Sequence, residues 1–474
     1  MSIVASPEAD ASVMKNDWLV IMKSLRLTGM MLMLSLLVTA QQGAWRSLFN
    51  GKNLDGWKRL GGTATYAVEE GMIVGRTVAD SRNTFLCTKE EFGDFILELE
   101  VYVEDEEGNS GIQTRSHFDP AGYSGEGKVY GRQCEVDPSF RRWTGGIYDE
   151  GRRDWLYPMQ LNAGAQHLYR PGVFNHFRVE CIGNEMRTWV NGSAAACVVD
   201  TIDSKGFIGL QVHAINSPDH AGRKVCFRNI RIQTKNLVRK PFPPGIFVFN
   251  LVPNSLSPYQ QQNGWKLLFD GKSLQGWHRA AGTGVPDHGW EIAGGVLTVL
   301  ASSSESARGG DLVTNQRFRA FDLSFEFKLG PGGNSGLKYF VRLPEKPGTG
   351  AIGLEYQLLD DTLHPDAKMG REGNRTLGSL YDLIKADKQK RFLRPIGEWN
   401  TGRIVVYPND KVEHYLNGVK VLEYIRGSKD YLDLVAKSKY AGYPHFGEDY
   451  DGPLLLQDHG DRVSFRSLRI RELH

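Results

Sequence analysis

Apolar residues fall at every second position across Glu91–Val103, through Phe95, Leu97, Leu99 and Val101. A period of two belongs to a strand with one face in a core and the other turned away from it. The alternation returns over His176–Ile182, through Phe177, Val179 and Cys181, and again through Phe321, Leu323, Phe325, Phe327 and Leu329. Val225, Phe227, Ile230 and Ile232 are spaced two, three, two, as are Val463, Phe465, Leu468 and Ile470. That spacing predicts a strand carrying a bulge. Asn191-Gly192 and Asn417-Gly418 tolerate the positive φ of a tight turn and predict one hairpin each. Helical character is confined to a short stretch, Tyr431–Lys437. Many short alternating segments broken by Gly, Pro and Asn predict an all-β sandwich.

The pattern occurs twice. LFNGKNLDGW at Leu48–Trp57 reappears as LFDGKSLQGW at Leu268–Trp277, and the residues after each copy also match, so one domain is repeated in tandem. The first copy spans 45–234 and the second 265–474. Between them, 235–264 holds Pro241, Pro243, Pro244, Pro253 and Pro258 and reads as an extended, semi-rigid connector. Its Phe247-Val248-Phe249 is apolar enough to pack on a domain surface. The repeated ten-residue string reads as a clamp common to both sandwiches, with the chemistry further along.

A chain of 474 residues, 41% hydrophobic and 24% charged, can bury sizeable cores and is not a disordered one. Its net charge of +2, with no basic stripe, argues against a nucleic-acid partner. Met22–Arg26 is a short basic start, Leu27–Val38 an apolar run of signal-peptide length, and Val38-Thr39-Ala40 a small-residue cleavage site. Residues 1–40 are therefore expected to be an N-terminal extension plus a signal peptide, with Met22 as the true start. The mature chain is expected to be exported, periplasmic or extracellular, and to have no membrane span. The five cysteines all lie in the first copy. Cys181 and Cys197 flank a predicted hairpin and could pair, but buried free thiols are the plainer expectation.

Further strings recur in the same order. NSG stands at Asn109–Gly111 and Asn334–Gly336, and Tyr-Asp at Tyr148-Asp149 and Tyr381-Asp382. Asn175 answers Asn400, and LQVH at Leu210–His213 answers LQDH at Leu456–His459. Taken together, these strings resemble the 3-keto-disaccharide hydrolase domain family, over almost all of the chain outside its N-terminus and once per half. The resemblance implies two tandem concanavalin A-like jelly-roll β-sandwiches. It also implies cleavage of glycosides already oxidised to a ketone at C3, with an oligosaccharide or 3-keto-glycoside as substrate.

The stretch between NSG and Tyr-Asp carries the candidate chemistry. Aligning its glycines sets Gln133 beside Glu355 and Glu135 beside Gln357. Residues two apart on a strand share a face, so each half presents one carboxylate and one carboxamide together, in swapped order. Asp137 joins that face in the first copy, and Asp360 comes one residue later in the second. Leu354, Tyr356 and Leu358 mark the core side, leaving Glu355 and Gln357 on the other; the alternative is an ordinary solvated strand face. A C3 ketone acidifies the C2 hydrogen, so the implied reaction needs a base, an electrophile for the enolate oxygen and an acid for the leaving group. Glu135 and Glu355 are the candidate bases, with His213 and His459 as alternatives. Lys338 or Arg115 could hold the oxyanion or be a structural ion-pair partner. Both tracts alternate, so Gln113 and Lys338 should point the same way. Tyr148 and Tyr381 could protonate the leaving group or stack on sugar. Trp155, with Arg141, Arg142, Trp143, Arg152 and Arg153, could line a sugar cleft or equally form the interface between the two domains. Asn109, Gln113, Gln133, Asp137, Asn334, Gln357 and Asp360 complete the expected substrate contacts.

Two rival readings share this fold. A laminarinase-type glycosidase would need an E-x-D-x-E strand, and Pro138-Ser139 interrupts it after Asp137. A non-catalytic, lectin-like carbohydrate-binding protein needs no acid at all. No cofactor is implied and no metal cage is visible; Asp360-Asp361 and Asp449-Tyr450-Asp451 are acid pairs of the kind that sometimes hold Ca²⁺ in sandwich loops.

Overall fold

The computed structural model describes residues 1–2, 44–344 and 350–474. The expected signal peptide lies outside them. Four antiparallel-rich sheets form two sandwiches. In the first, a nine-stranded sheet faces a seven-stranded one; in the second, an eight-stranded sheet faces a five-stranded one. Among the described residues no helix is long and apolar enough to cross a membrane.

The alternating segments become strands. Phe95–Val103 and Phe321–Leu329 are central in their sheets, and their Phe, Leu and Val side chains are buried. The first begins later than Glu91 because Phe92 makes only an isolated bridge to Gly206. The two-three-two spacings coincide with register shifts between Arg228 and Arg231 and between Ser324 and Glu326. At these points Asn229 and Ser467 take positive φ, 53° and 56°. One extra residue there returns the next apolar side chain to the core. Asn191-Gly192 and Asn417-Gly418 close hairpins with both residues at positive φ. A short helix, Lys429–Ala436, lies where helical character was expected, capped by the Ser428 side chain.

The repeated LF-x-G-K-x-L-x-G-W string joins the two sheets of each sandwich. Arg46–Ser47 pairs with the nine-stranded sheet, while Trp57 opens a strand of the seven-stranded one. The Trp57 indole N–H donates to the Leu48 carbonyl at 3.0 Å, and Trp277 does the same to Leu268 at 2.6 Å. All five cysteines are buried and free, so Cys181 and Cys197 do not pair.

The connector does more than space the domains. Phe249–Asn250 adds a parallel strand beside Ser193–Val199, and Phe247 and Val248 are buried. Phe247, Trp265, Val405, Tyr415 and Val419 share one apolar cluster with Trp143, Trp155 and Tyr157 of the first repeat. The Arg403 guanidinium stacks on Phe247 at 4.2 Å while bound by Asp322 through two bonds, 2.7 and 2.8 Å. Arg469 donates to the carbonyls of Asn250, Val252 and Ser255.

Candidate active site

The site is built on the seven-stranded sheet. Ser110–Asp119, Lys128–Val136, Ile147–Glu150 and Phe207–Val212 are consecutive or neighbouring strands there. Ile112, Cys134, Val136, Ile147 and Leu210 point into the core. By alternation, Gln113, Gln133, Glu135, Tyr148, Glu150 and Gln211 take the opposite face. That face is not solvated: Gln113, Gln133, Glu135 and Gln211 are all at most 4% exposed.

The NSG string explains how these polar groups are held. Gly111 pairs with Glu135 in register, and a Cβ on Gly111 would sit 2.0 Å from the Gln133 carboxamide carbon. The absent side chain lets Gln133 lie across the neighbouring strand. Ser110 donates to the Gln211 carbonyl at 2.8 Å, tying in the LQVH strand. Asn109 donates to one Glu135 oxygen at 2.6 Å, and Gln133 to the other at 3.0 Å. Gln133 in turn accepts from Gln113 at 2.9 Å. Among the described residues the Gln211 amide nitrogen and the Asn109 amide oxygen are buried without a partner, a condition that buried polar atoms tolerate where a ligand is bound.

Over this face opens a cleft of about 750 Å³, lined by Asn109, Gln133, Glu135, Asp137, Arg141, Tyr148, Glu150, Trp155, Gln211 and His213 among others. Burial pushes Glu135 up to about 7, against the lowering effect of Asn109 and Gln133, with Asp137 and Glu150 adding repulsion. Glu150, which the sequence reading did not single out, is also raised to about 7 by burial, with Asn83 donating at 3.1 Å. Two buried carboxyls raised toward neutrality in one cleft are an arrangement that acid–base chemistry uses. Desolvation lowers the pKa of His213, and its Nδ1–H donates to the Ala214 carbonyl at 2.6 Å, so in the neutral ring Nε2 is an acceptor. Tyr148 donates to Asp154 at 2.9 Å, and burial drives its phenol far above its ordinary range. Asp137 is paired with Arg141 at 2.8 Å, whose guanidinium lies 5.1 Å from the Trp143 ring and 5.7 Å from Trp155.

Several expected residues lie elsewhere. Arg115 is not in the cleft. A register shift between Thr114 and His117 and a φ of 47° turn it away. It is buried against the carbonyls of Gly93, Cys181 and Gly183 and paired with Asp94 at 2.8 Å. Gln113 lies beside Gln133 on the neighbouring strand and donates to it; it is absent from the cleft lining. Arg152 and Arg153 are spent on Asp149, Asp200 and Asp203.

The second repeat arranges its counterparts differently, and none of them lines this cleft. Lys338 pairs with Glu355 at 3.9 Å. Burial raises Glu355, while Lys338 and Lys439 oppose that rise. Gln357 donates to Asn334 at 3.1 Å. A segment over 426–451, far longer than its counterpart 200–206, brings in buried Tyr440 and sets the Lys439 ammonium 4.1 Å from the Tyr381 ring. Tyr381 donates to Asp366 at 2.8 Å. Asp360 is a turn residue: its burial is outweighed by the N–H groups of Gly332, Thr362 and Leu363, which hold it below its ordinary range. His459 is exposed beside His364. Of the loop acids that could suit Ca²⁺, Asp361 is paired with Lys388, Asp449 with Arg342 and Asp451 with Arg317.

The chain is thus two tandem β-sandwiches, the first with a cleft that holds two buried carboxyls. The 3-keto-alpha-glucoside-1,2-lyase-like domain matches residues 44–233 and again 264–471, and the chain belongs to that family. It is 37% identical over 233 residues to a 3-keto-disaccharide hydrolase of Bacteroides thetaiotaomicron, covering 44% of this chain and 79% of the relative. A crystal structure of a Parabacteroides distasonis protein, provisionally described as a glycosyl hydrolase, matches 47% of this chain and all of its own length at 31% identity and a TM-score of 0.41.

Proposed function

We propose that this protein is an exported hydrolase that cleaves 3-keto-glycosides in the cleft of its first repeat. The observation that carries the reading is Glu135: a buried carboxyl with a pKa near 7, on the cleft floor, oriented by Asn109 and Gln133. Ionised Glu135 removes the C2 proton that the C3 ketone has acidified, with neutral His213 as the alternative base. The negative charge passes to the ketone oxygen as an enolate, beside the Arg141 guanidinium. Re-formation of the ketone then expels the C1 oxygen, breaking the glycosidic bond and leaving a C1–C2 double bond. Protonated Glu150 gives its proton to the departing oxygen. Tyr148 is a poorer acid, since its phenol holds its proton too tightly. Water adds at C1 and a proton returns to C2, so the net change is hydrolysis. Export is supported by the basic start, apolar run and small-residue site over 22–40.

Turnover of a 3-keto disaccharide in D₂O tests the reading. The proposed route delivers a product 3-keto sugar with deuterium at C2 from the first turnovers. A two-carboxylate glycosidase leaves the C2–H bond intact, and product without deuterium at C2 would rule out the elimination.

A further inference from the structure

The cleft wall contains one residue from the other sandwich. Arg391 of the second repeat lines it together with Glu135, Asp137, Tyr148, Trp155 and His213. It lies close enough to lower the pKa of both Tyr148 and His213. Among the described residues the Arg391 side chain is in no ion pair or hydrogen bond and lies 5.8 Å from the Phe392 ring, while Lys388, Phe392 and Arg394 around it are anchored. Phe392 packs its ring 5.8 Å from Trp143 of the first repeat. Its carbonyl accepts from Asn417, in the Asn-Gly hairpin, at 2.7 Å. Arg394 donates to the Arg153 carbonyl of the first repeat at 2.6 Å. Lys388 is paired with Asp361.

An exposed arginine between anchored neighbours, with no charge partner, facing a cleft floored by acids, is placed to meet a ligand. We infer that Arg391 is a substrate-binding residue for the first repeat's site, so that the second sandwich supplies a wall of one composite site. Its guanidinium donates to hydroxyl or carbonyl oxygens of the bound sugar, opposite the carboxyls below. The inference rests on the reading of this cleft as the sugar site.

The test uses the full chain and, as probe, the same 3-keto disaccharide whose turnover tests the proposed function. Arg391→Ala should raise KM about tenfold and lower kcat less than threefold, as loss of ground-state binding does. Arg391→Lys should recover part of the loss. Lys390→Ala, next along the chain but outside the cleft, should behave as wild type. Because Arg391 is exposed, melting temperatures should not move. Calorimetric binding of the same probe to Glu135→Gln, with and without Arg391→Ala, reports on the contact without relying on turnover. Weakened binding upholds the inference even if wild type proves inert, an outcome that would remove the proposed reaction alone. Unchanged KM and unchanged binding, or no binding by the parent, overturn it.

Discussion

Glu135 and Glu150 are carboxyls kept out of water while lining a cleft, and their protonation sets the behaviour of the site. As base, Glu135 must be ionised, so kcat/KM should rise with pH through about 7. As acid, Glu150 must be protonated, so the profile should fall again as pH passes its own value, also about 7, giving a narrow bell. Glu135→Gln should lose about 10²–10⁴-fold in turnover while still binding the sugar; retained activity would point to His213. Asn109→Ala removes a donor to the carboxylate, so the acidic limb should move to higher pH. The same burial affects folding. Both groups have folded values raised above the ordinary 4.5, so the neutral acids favour the folded state below about 4.5, and that contribution is lost as pH rises through about 7. Keeping one ionised and buried costs roughly 3 kcal/mol. Glu135→Gln and Glu150→Gln should therefore raise the melting temperature at pH 8.5 by more than at pH 5. An equal change at both pH values would contradict the burial argument.

At the scale of elements, strand alternation was readable because the core faces are mostly apolar, with buried exceptions such as Thr188 and His414. The bulges at Asn229 and Ser467 were legible in apolar spacing, since an extra residue shifts the phase visibly. The bulge after Thr114 was not, because Gln113, Arg115 and His117 are all polar and carry no phase mark. That is why Arg115 was expected at the site. Glu150 had a usable signal, lying two residues after Tyr148 and so on its face, but its strand is only Ile147–Glu150 and Leu383-Ile384 follow the matching Tyr-Asp. The NSG glycine was legible as a motif while its reason needed the neighbouring strand. Gly111→Ala would press a methyl into Gln133. It should cost about 1–3 kcal/mol and lower activity together with stability, measured by melting and kcat/KM on the same preparation.

Over the whole molecule, the repeat was plain in the sequence, whereas the division of labour between copies was not. The Glu/Gln swap put a candidate base in each copy. The structure gives the first copy an open cleft and sets two ammonium groups around Glu355 in the second. Arg391 could not have been assigned from local pattern, since it reaches the cleft across the domain boundary. The apolar cluster joining Trp143, Phe247, Trp265 and Tyr415 makes the sandwiches one unit, so heating should give a single cooperative transition, while two resolved transitions would show independent domains. Glu135→Gln should bind one 3-keto disaccharide per chain by calorimetry. The central claim is tested most directly by incubating the wild-type protein with a native disaccharide and its matched 3-keto form. Cleavage of the oxidised sugar alone is the predicted result. Equal cleavage of the native sugar, or of neither, would contradict it.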